Sequence, residues 1–184
     1  MANVIGFDDA PFPHGHRGNV DLVGVVCAGT RLDGVVVGQV RRDGTNSTRV
    51  MGHLVRRSRF YEHVQAVLLQ GITVAGFNVV DVHALHADLG IPVLAIARKR
   101  PDFSRIRKVL FERVPGGAKK WALLERAGPM EELEGLLVQR VGIDTKRARA
   151  LLRSTRLHGN LPEPLRLAHL IAGAYGRGES KGGA

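Results

Sequence analysis

The chain has 184 residues, with 27 Lys and Arg against 17 Asp and Glu and a formal net charge of +10. That length supports one domain with a full hydrophobic core, and the surplus of cations points to an anionic partner, nucleic acid first. A single cysteine excludes an intrachain disulfide framework. No apolar run reaches the ~18 residues that a membrane helix needs, and no secretory leader is recognisable, so the expectation is a cytoplasmic protein without a membrane partner.

Residues 4–8, VIGFD, form a short strand that delivers Asp8, with Asp9 beside it, at its carboxyl end. Neighbouring strand residues face opposite sides, so only one of the two carboxylates easily enters a given site. The following APFPHGHRGN is a loop by its prolines and glycines. It carries His14, His16 and Arg17, a set suited to phosphate, and the two histidines are also candidates for a metal. Residues 21–28 and 31–40 are β-branched runs around Gly29 and Thr30 and read as an antiparallel hairpin. A polar turn containing Asp43 precedes a helix capped by Asn46 or Ser47, with Met51, Leu54 and Val55 inward. Arg49, Arg56, Arg57 and Arg59 then point outward, where guanidinium forks match phosphate geometry.

The rest of the chain is organised around residues 66–97. Two apolar strands, 66–69 and 93–97, flank a helix built on Val79, Val82, Leu85, Ala87 and Leu89 and stopped by Gly90 and Pro92. Such a crossover implies parallel pairing, and ligands of parallel sheets sit outside the carboxyl ends of the strands. The loop 70–77 is therefore the first place to expect chemistry, shaped by Gly71, Gly76, Asn78 and an Asp81 that falls within the helix. Arg98, Lys99 and Arg100 crown the second strand, a position suited to an anionic ligand. Asp81, His83 and His86 form D-x-H-x-x-H, a spacing that lets the histidines share a transition metal on one helix face.

Pro101 and Asp102 open a helix with Ile106, Val109 and Leu110 inward, and a second follows at 119–127 with Trp121 and Leu124 in the core. An outer strand covers 135–141, and Asp144 caps a helix bearing Lys146, Arg147, Arg149 and Arg153. The closing helix starts at Pro164, with Leu167, Leu170 and Ile171 as its buried stripe. Glu163, Arg166 and His169 stand three residues apart and can share one face. Residues 176–184 read as a flexible Gly-rich tail.

The segments VIGFDDAPF, SRF before a buried strand, GITVAGFNVVD, GIPVLAIARKRPD and GNLPEPLRLAHLIAGA, in that order, resemble the domain-of-unknown-function family ninety-nine, the endonuclease dU family. The resemblance spans nearly the whole chain. It implies a single α/β domain over 1–175, similar to endonuclease V and the ribonuclease H-like superfamily: a mixed five-stranded sheet, three strands antiparallel and two parallel, flanked by helices. It also implies hydrolysis of a phosphodiester bond in nucleic acid, DNA ahead of RNA, at deaminated bases such as uracil or hypoxanthine, with Mg²⁺ or Mn²⁺ as cofactor.

Under that resemblance Asp8 falls where such folds place their first metal carboxylate, Asp9 or Asp43 supplies a second, and Glu163 or His169 supports them. Nucleic-acid contacts go to His14, His16, Arg17, Arg59, Arg98, Lys99, Arg100 and Arg166. One position departs from the family pattern: the strand before GIT ends in Gln70, where the family has a metal-binding aspartate. A neutral amide offers one carbonyl oxygen and no charge. The alternative expectation is thus a nucleic-acid-binding protein of the same fold whose catalysis is weakened or lost.

Overall fold

The structure is a computed structural model and describes residues 2–181. Its elements in chain order are β1 (Asn3–Asp9), β2 (Asn19–Ala28), β3 (Arg31–Arg41), α1 (Ser47–Arg57), β4 (Ala66–Gln70), β5 (Thr73–Val74), β6 (Asn78–Val79), α2 (Val82–Leu89), β7 (Val93–Ala97), α3 (Phe103–Arg113), α4 (Gly117–Arg126), β8 (Glu131–Leu133), β9 (Leu136–Val141), α5 (Thr145–Thr155) and α6 (Glu163–Arg177).

The main sheet runs β3-β2-β1-β4-β7-β9-β8. Parallel β1, β4 and β7 form its centre, and antiparallel strands extend it on both sides. The sheet therefore has seven strands rather than five. β9 joins β7 and is itself covered by β8, so the strand expected to be outermost is not. The sequence of β8, EEL, is too short to show a two-residue period. β5 and β6 make a separate two-stranded hairpin inside the 70–80 segment, and this hairpin delays α2 to Val82. Asp81 is accordingly the N-cap of α2, accepting from the Ala84 amide at 2.9 Å, and not a residue of the helix body.

Both faces of the sheet are covered, and the alternation along β1 decides what each face receives. Ile5 and Phe7 enter a core shared with Met51, Leu85, Leu110 and Leu124 of α1 to α4. Val4 enters the opposite core, with Leu152 of α5 and Leu165 of α6. By the same alternation Asp8 leaves the strand on the α6 side and Asp9 on the other.

α6 comes unusually close to the sheet. A Cβ added at Gly6 would lie 2.7 Å from the Pro164 carbonyl carbon, so only glycine fits beneath the start of the helix. The buried stripe is Leu165, Ala168 and Ala172, whereas Leu167, Leu170 and Ile171, expected there, are half-buried. Small residues bring two backbones together, and that advantage outweighs the area the larger side chains would bury. The helix continues through Gly176 and Arg177 and ends at a left-handed Gly178, so the first two residues of the expected tail are helical and 182–184 lie outside the described residues. Among the described residues no helix is long and apolar enough to cross a membrane.

Candidate active site at the end of the first strand

Asp8 meets His169 across 161 residues of sequence: the ring Nδ1 donates to Asp8 Oδ2 at 2.9 Å. The other carboxylate oxygen accepts from the Asp9 amide at 2.9 Å. Asp9, turned to the opposite face, accepts from the Ala75 amide at 2.8 Å and so pins the loop after β4. Asp8, Asp9, Phe12, His169, Gly173 and Arg177 border a cavity of about 340 Å³. Burial pushes the Asp8 carboxyl up to about 6, the charge of Asp9 pushes the same way, and the bond to His169 draws it back. Asp9 is raised as well, chiefly by burial, with the Ala75 amide opposing. Two adjacent carboxyl groups are thus shielded from water with an imidazole bonded to one of them, an environment that favours uptake of a proton or a cation.

Gln70 closes β4. Phe7 pairs with Leu69 in parallel register, so the next residues, Asp8 and Gln70, are neighbours on adjacent strands and leave by the same face. Gln70 Oε1 is buried and, among the described residues, accepts no hydrogen bond. A buried carbonyl without a partner costs on the order of 1–3 kcal/mol. Gln70 also borders a second cavity, of about 360 Å³, with Gly71, Ile96, Ala97, Arg98 and Lys99. Among the described residues no three His, Cys, Asp or Glu side chains converge as a closed metal-ligand set. What the strand ends offer is one carboxylate and one orphaned amide carbonyl, oxygen donors of the kind a hydrated divalent cation takes, with an imidazole bonded to the carboxylate.

The family model for endonuclease dU matches residues 1–175. A UPF0215 protein of Deinococcus radiodurans is 54% identical over 99% of this chain and 93% of its own length. The chain belongs to the endonuclease dU family. An Archaeoglobus fulgidus protein of solved structure superposes with a TM-score of 0.89 at 28% identity, over 96% of this chain and 99% of that one. The endonuclease V fold is shared too: Ciona intestinalis endonuclease V, solved with a 24mer DNA containing an inosine followed by a ribo-adenosine, aligns with a TM-score of 0.57 at 12% identity, over 91% of this chain and 82% of that one.

Several residues singled out from the sequence of this endonuclease dU family member lie elsewhere. Asp43 does not border the Asp8 cavity: its Oδ1 accepts from the Phe77 amide at 2.8 Å, its Oδ2 lies 3.4 Å from Arg42 Nε, and its carbonyl takes the Lys120 ammonium. Glu163 and Arg166 form a two-pronged pair, Nε to Oε2 at 2.8 Å and Nη2 to Oε1 at 2.5 Å. Six residues of helix, about 9 Å along the axis, separate Glu163 from His169, and Arg166 is committed to its pair with Glu163. Arg59 stacks 4.9 Å from the Phe60 ring, and that ring lies against Gly34, at the end of the sheet remote from Asp8.

His83 Nε2 bonds the Arg126 carbonyl, His86 Nδ1 bonds the Ile91 carbonyl and Asp81 pairs with Arg126, so D-x-H-x-x-H is taken up by structure. Arg100 lies apart from Arg98 and Lys99, beside Phe103 and Trp121. His14, His16 and Arg17 line a different cavity, of about 600 Å³, together with Asp43.

Gly71 (φ 80°) turns its amide onto the Ile96 carbonyl at 2.8 Å. At Gly76 (φ 81°) a Cβ would collide with Asp43 Oδ1. Asn78, fully buried, bonds the Ser47 amide, the Arg41 carbonyl and Asn46 Oδ1. Ala75 and Arg177 escaped the sequence reading. Ala75 acts through its main chain, which no residue type announces, and Arg177 sits in what reads as a glycine-rich tail.

Proposed function

We propose that this protein is a divalent-metal-dependent endonuclease that hydrolyses phosphodiester bonds in nucleic acid, DNA in particular, at deaminated bases such as uracil or hypoxanthine. The observation that carries this reading is the hydrogen bond between the buried Asp8 and the partly exposed His169 at the carboxyl end of β1, beside an orphaned Gln70 carbonyl. Membership of the endonuclease dU family and the fold shared with a DNA-bound endonuclease V support the substrate class.

Asp8 and Gln70 Oε1 would hold Mg²⁺ or Mn²⁺, with His169 Nε2 left outside the ligand set. Such an ion, when bound, lowers the pKa of its water and neutralises charge developing on the phosphate. Asp8 keeps the imidazole Nδ1 protonated and fixes the ring, which leaves Nε2 to accept a proton from an attacking water. As the water oxygen bonds to phosphorus, the bond to the leaving oxygen breaks, and that oxygen takes a proton from solvent water. Arg177, folded over Gly173 one turn beyond His169, together with Arg98 and Lys99 at the end of β7, supplies fixed positive charge to the phosphoryl oxygens.

A second reading rests on Gln70. With a neutral amide where a carboxylate would bring charge, the cation is held weakly and the protein acts chiefly by binding nucleic acid. Titration of Mg²⁺ and Mn²⁺ into wild type, Asp8→Ala and Gln70→Asp, followed by cleavage of uracil- and hypoxanthine-containing DNA, separates the two. The nuclease reading expects wild type to cut, Asp8→Ala to stop cutting and Gln70→Asp to cut at lower metal concentration. Binding without cutting in wild type, with cutting gained by Gln70→Asp, is the result expected of the second reading. Intact substrate with all three proteins would end the first.

A further inference from the structure

On the far side of the loop pinned by Asp9 lies the cavity of about 600 Å³, walled by residues 14–18, by Arg41, Arg42 and Asp43, and by Arg113 and Pro115 at the end of α3. Its volume is within the ~300–1,000 Å³ usual for ligand sites. Its walls carry four guanidinium groups and one carboxylate. That carboxylate is already spent, on the Phe77 amide and on Arg42. Arg42 is spent as well: Nη1 donates to the His14 carbonyl at 2.7 Å and to the His16 carbonyl, and the group stacks 5.3 Å from the Phe12 ring. Arg42 therefore anchors the 14–18 loop and builds the wall.

Arg17, Arg41 and Arg113 are different. Their guanidinium groups have no hydrogen bond or ion pair among the described residues, although all three border one cavity. Other arginines are paired, Arg149 and Arg153 with Glu134, Arg140 with Glu131, Arg166 with Glu163, and those whose guanidinium has no partner among the described residues, such as Arg49, Arg57 and Arg105, do not line this cavity. Three unneutralised cations around one concavity repel each other, and an anion seated among them offsets that cost. Guanidinium groups match the oxygens of a phosphate two at a time.

The position of the cavity identifies the source of that phosphate. Asp9 Oδ2 accepts from the Ala75 amide, and the Ala75 carbonyl accepts from the Asp43 amide at 2.9 Å, so one buried residue ties an acid bordering the Asp8 cavity to an acid lining this one. We propose that Arg17, Arg41 and Arg113 bind a phosphate of the nucleic-acid strand other than the one attacked beside Asp8, and so set where along the strand the cut falls. The proposal rests on the nuclease reading for its substrate class and on separate residues for its site.

The test uses the full chain without divalent metal. Ring resonances of His14 and His16 are followed by NMR while inorganic phosphate is added to wild type, Arg17→Gln and Arg113→Gln. In parallel, fluorescence anisotropy measures a single-stranded uracil-containing oligonucleotide over a range of salt concentrations. The expected result is a saturable phosphate-dependent shift in wild type that either substitution abolishes. Each variant should also bind the strand about tenfold more weakly, with a salt slope lower by about 0.7.

Unmoved histidine resonances with unchanged strand affinity and slope in both variants overturn the proposal. Phosphate-dependent shifts with equal strand binding by all three proteins confine the cavity to free phosphate and overturn the strand assignment. Strand binding that depends on Arg17 and Arg113 in a protein that cuts nothing removes the nuclease reading and leaves the phosphate site standing.

Discussion

Asp8 and Glu134 have side chains equally shielded from solvent, each 8% exposed, and their acidities move in opposite directions. Glu134 is gripped by Arg149 and Arg153, with Arg156 at 3.9 Å, and these arginines hold its carboxyl below the ordinary carboxylate range. Asp8 has only His169 and a second carboxylate for company, and burial lifts it to about 6. In a chain with a net charge of +10 this contrast does not follow from any shortage of arginine. The arginines spent on Glu134 fasten α5 to the β8–β9 turn, whereas Arg177, which borders the Asp8 cavity, makes no ion pair with Asp8 among the described residues.

The sharpest way to break the comparison is to remove the Asp8 charge. Asp8→Ala should lower kcat/KM on uracil-containing DNA by about 10³-fold, the equivalent of the several kcal/mol that a bound cation supplies. Cleavage by the variant at wild-type rate would make Asp8 a structural carboxylate like Glu134.

Next in size is a stability effect in metal-free protein. Because the folded Asp8 carboxyl titrates above its ordinary 3.8, its contribution is fully present below pH 3.8 and is lost as pH rises through about 6. Asp8→Asn escapes that loss. Its stability relative to wild type should rise across this window, by about 3 kcal/mol at most, as measured by urea unfolding at pH 4 and pH 7. A difference that stays constant between the two would show that burial does not penalise this charge.

Gly6→Ala tests how Asp8 acquired its partner. The new Cβ meets the Pro164 backbone, an overpacking that costs about 1–3 kcal/mol. The melting temperature should fall, and cleavage should fall with it as His169 is lifted from Asp8. The smallest effect is expected at the other carboxylate. Glu134→Gln should lower the melting temperature slightly at neutral pH and less in high salt. A carboxyl held low contributes stability above its ordinary 4.5, lost as pH falls through its folded value, so the variant and wild type should converge in acid.

How much of this could be read from the chain alone differs with the range of the interaction. The strand ending in Asp8, the hairpin at Gly29 and Thr30, the caps Asp102 and Asp144, and Pro164 in the first turn of α6 are local facts, and the structure has them in those places. Asp8 and His169 were separately visible as candidates, whereas their contact spans 161 residues and belongs to the packing of α6. The buried face of α6 is long-range for a related reason: Leu167, Leu170 and Ile171 are the larger side chains, but Ala168 and Ala172 are the ones fully buried against Val23, Val25 and Cys27 of β2. Asp43 looked like a ligand because it is an acid in a turn. Its left-handed backbone (φ 52°) and its bond to the Phe77 amide instead make it a loop clamp.

Ala75 also has a left-handed backbone (φ 48°), and both of its links, to Asp9 and to Asp43, run through main-chain atoms. Short of proline, which lacks the amide N–H, no replacement at this position takes away the atoms of either link, whereas a residue inserted or deleted between Gly71 and Phe77 displaces both at once. The length of that loop is thus tied to Asp9 and Asp43 together.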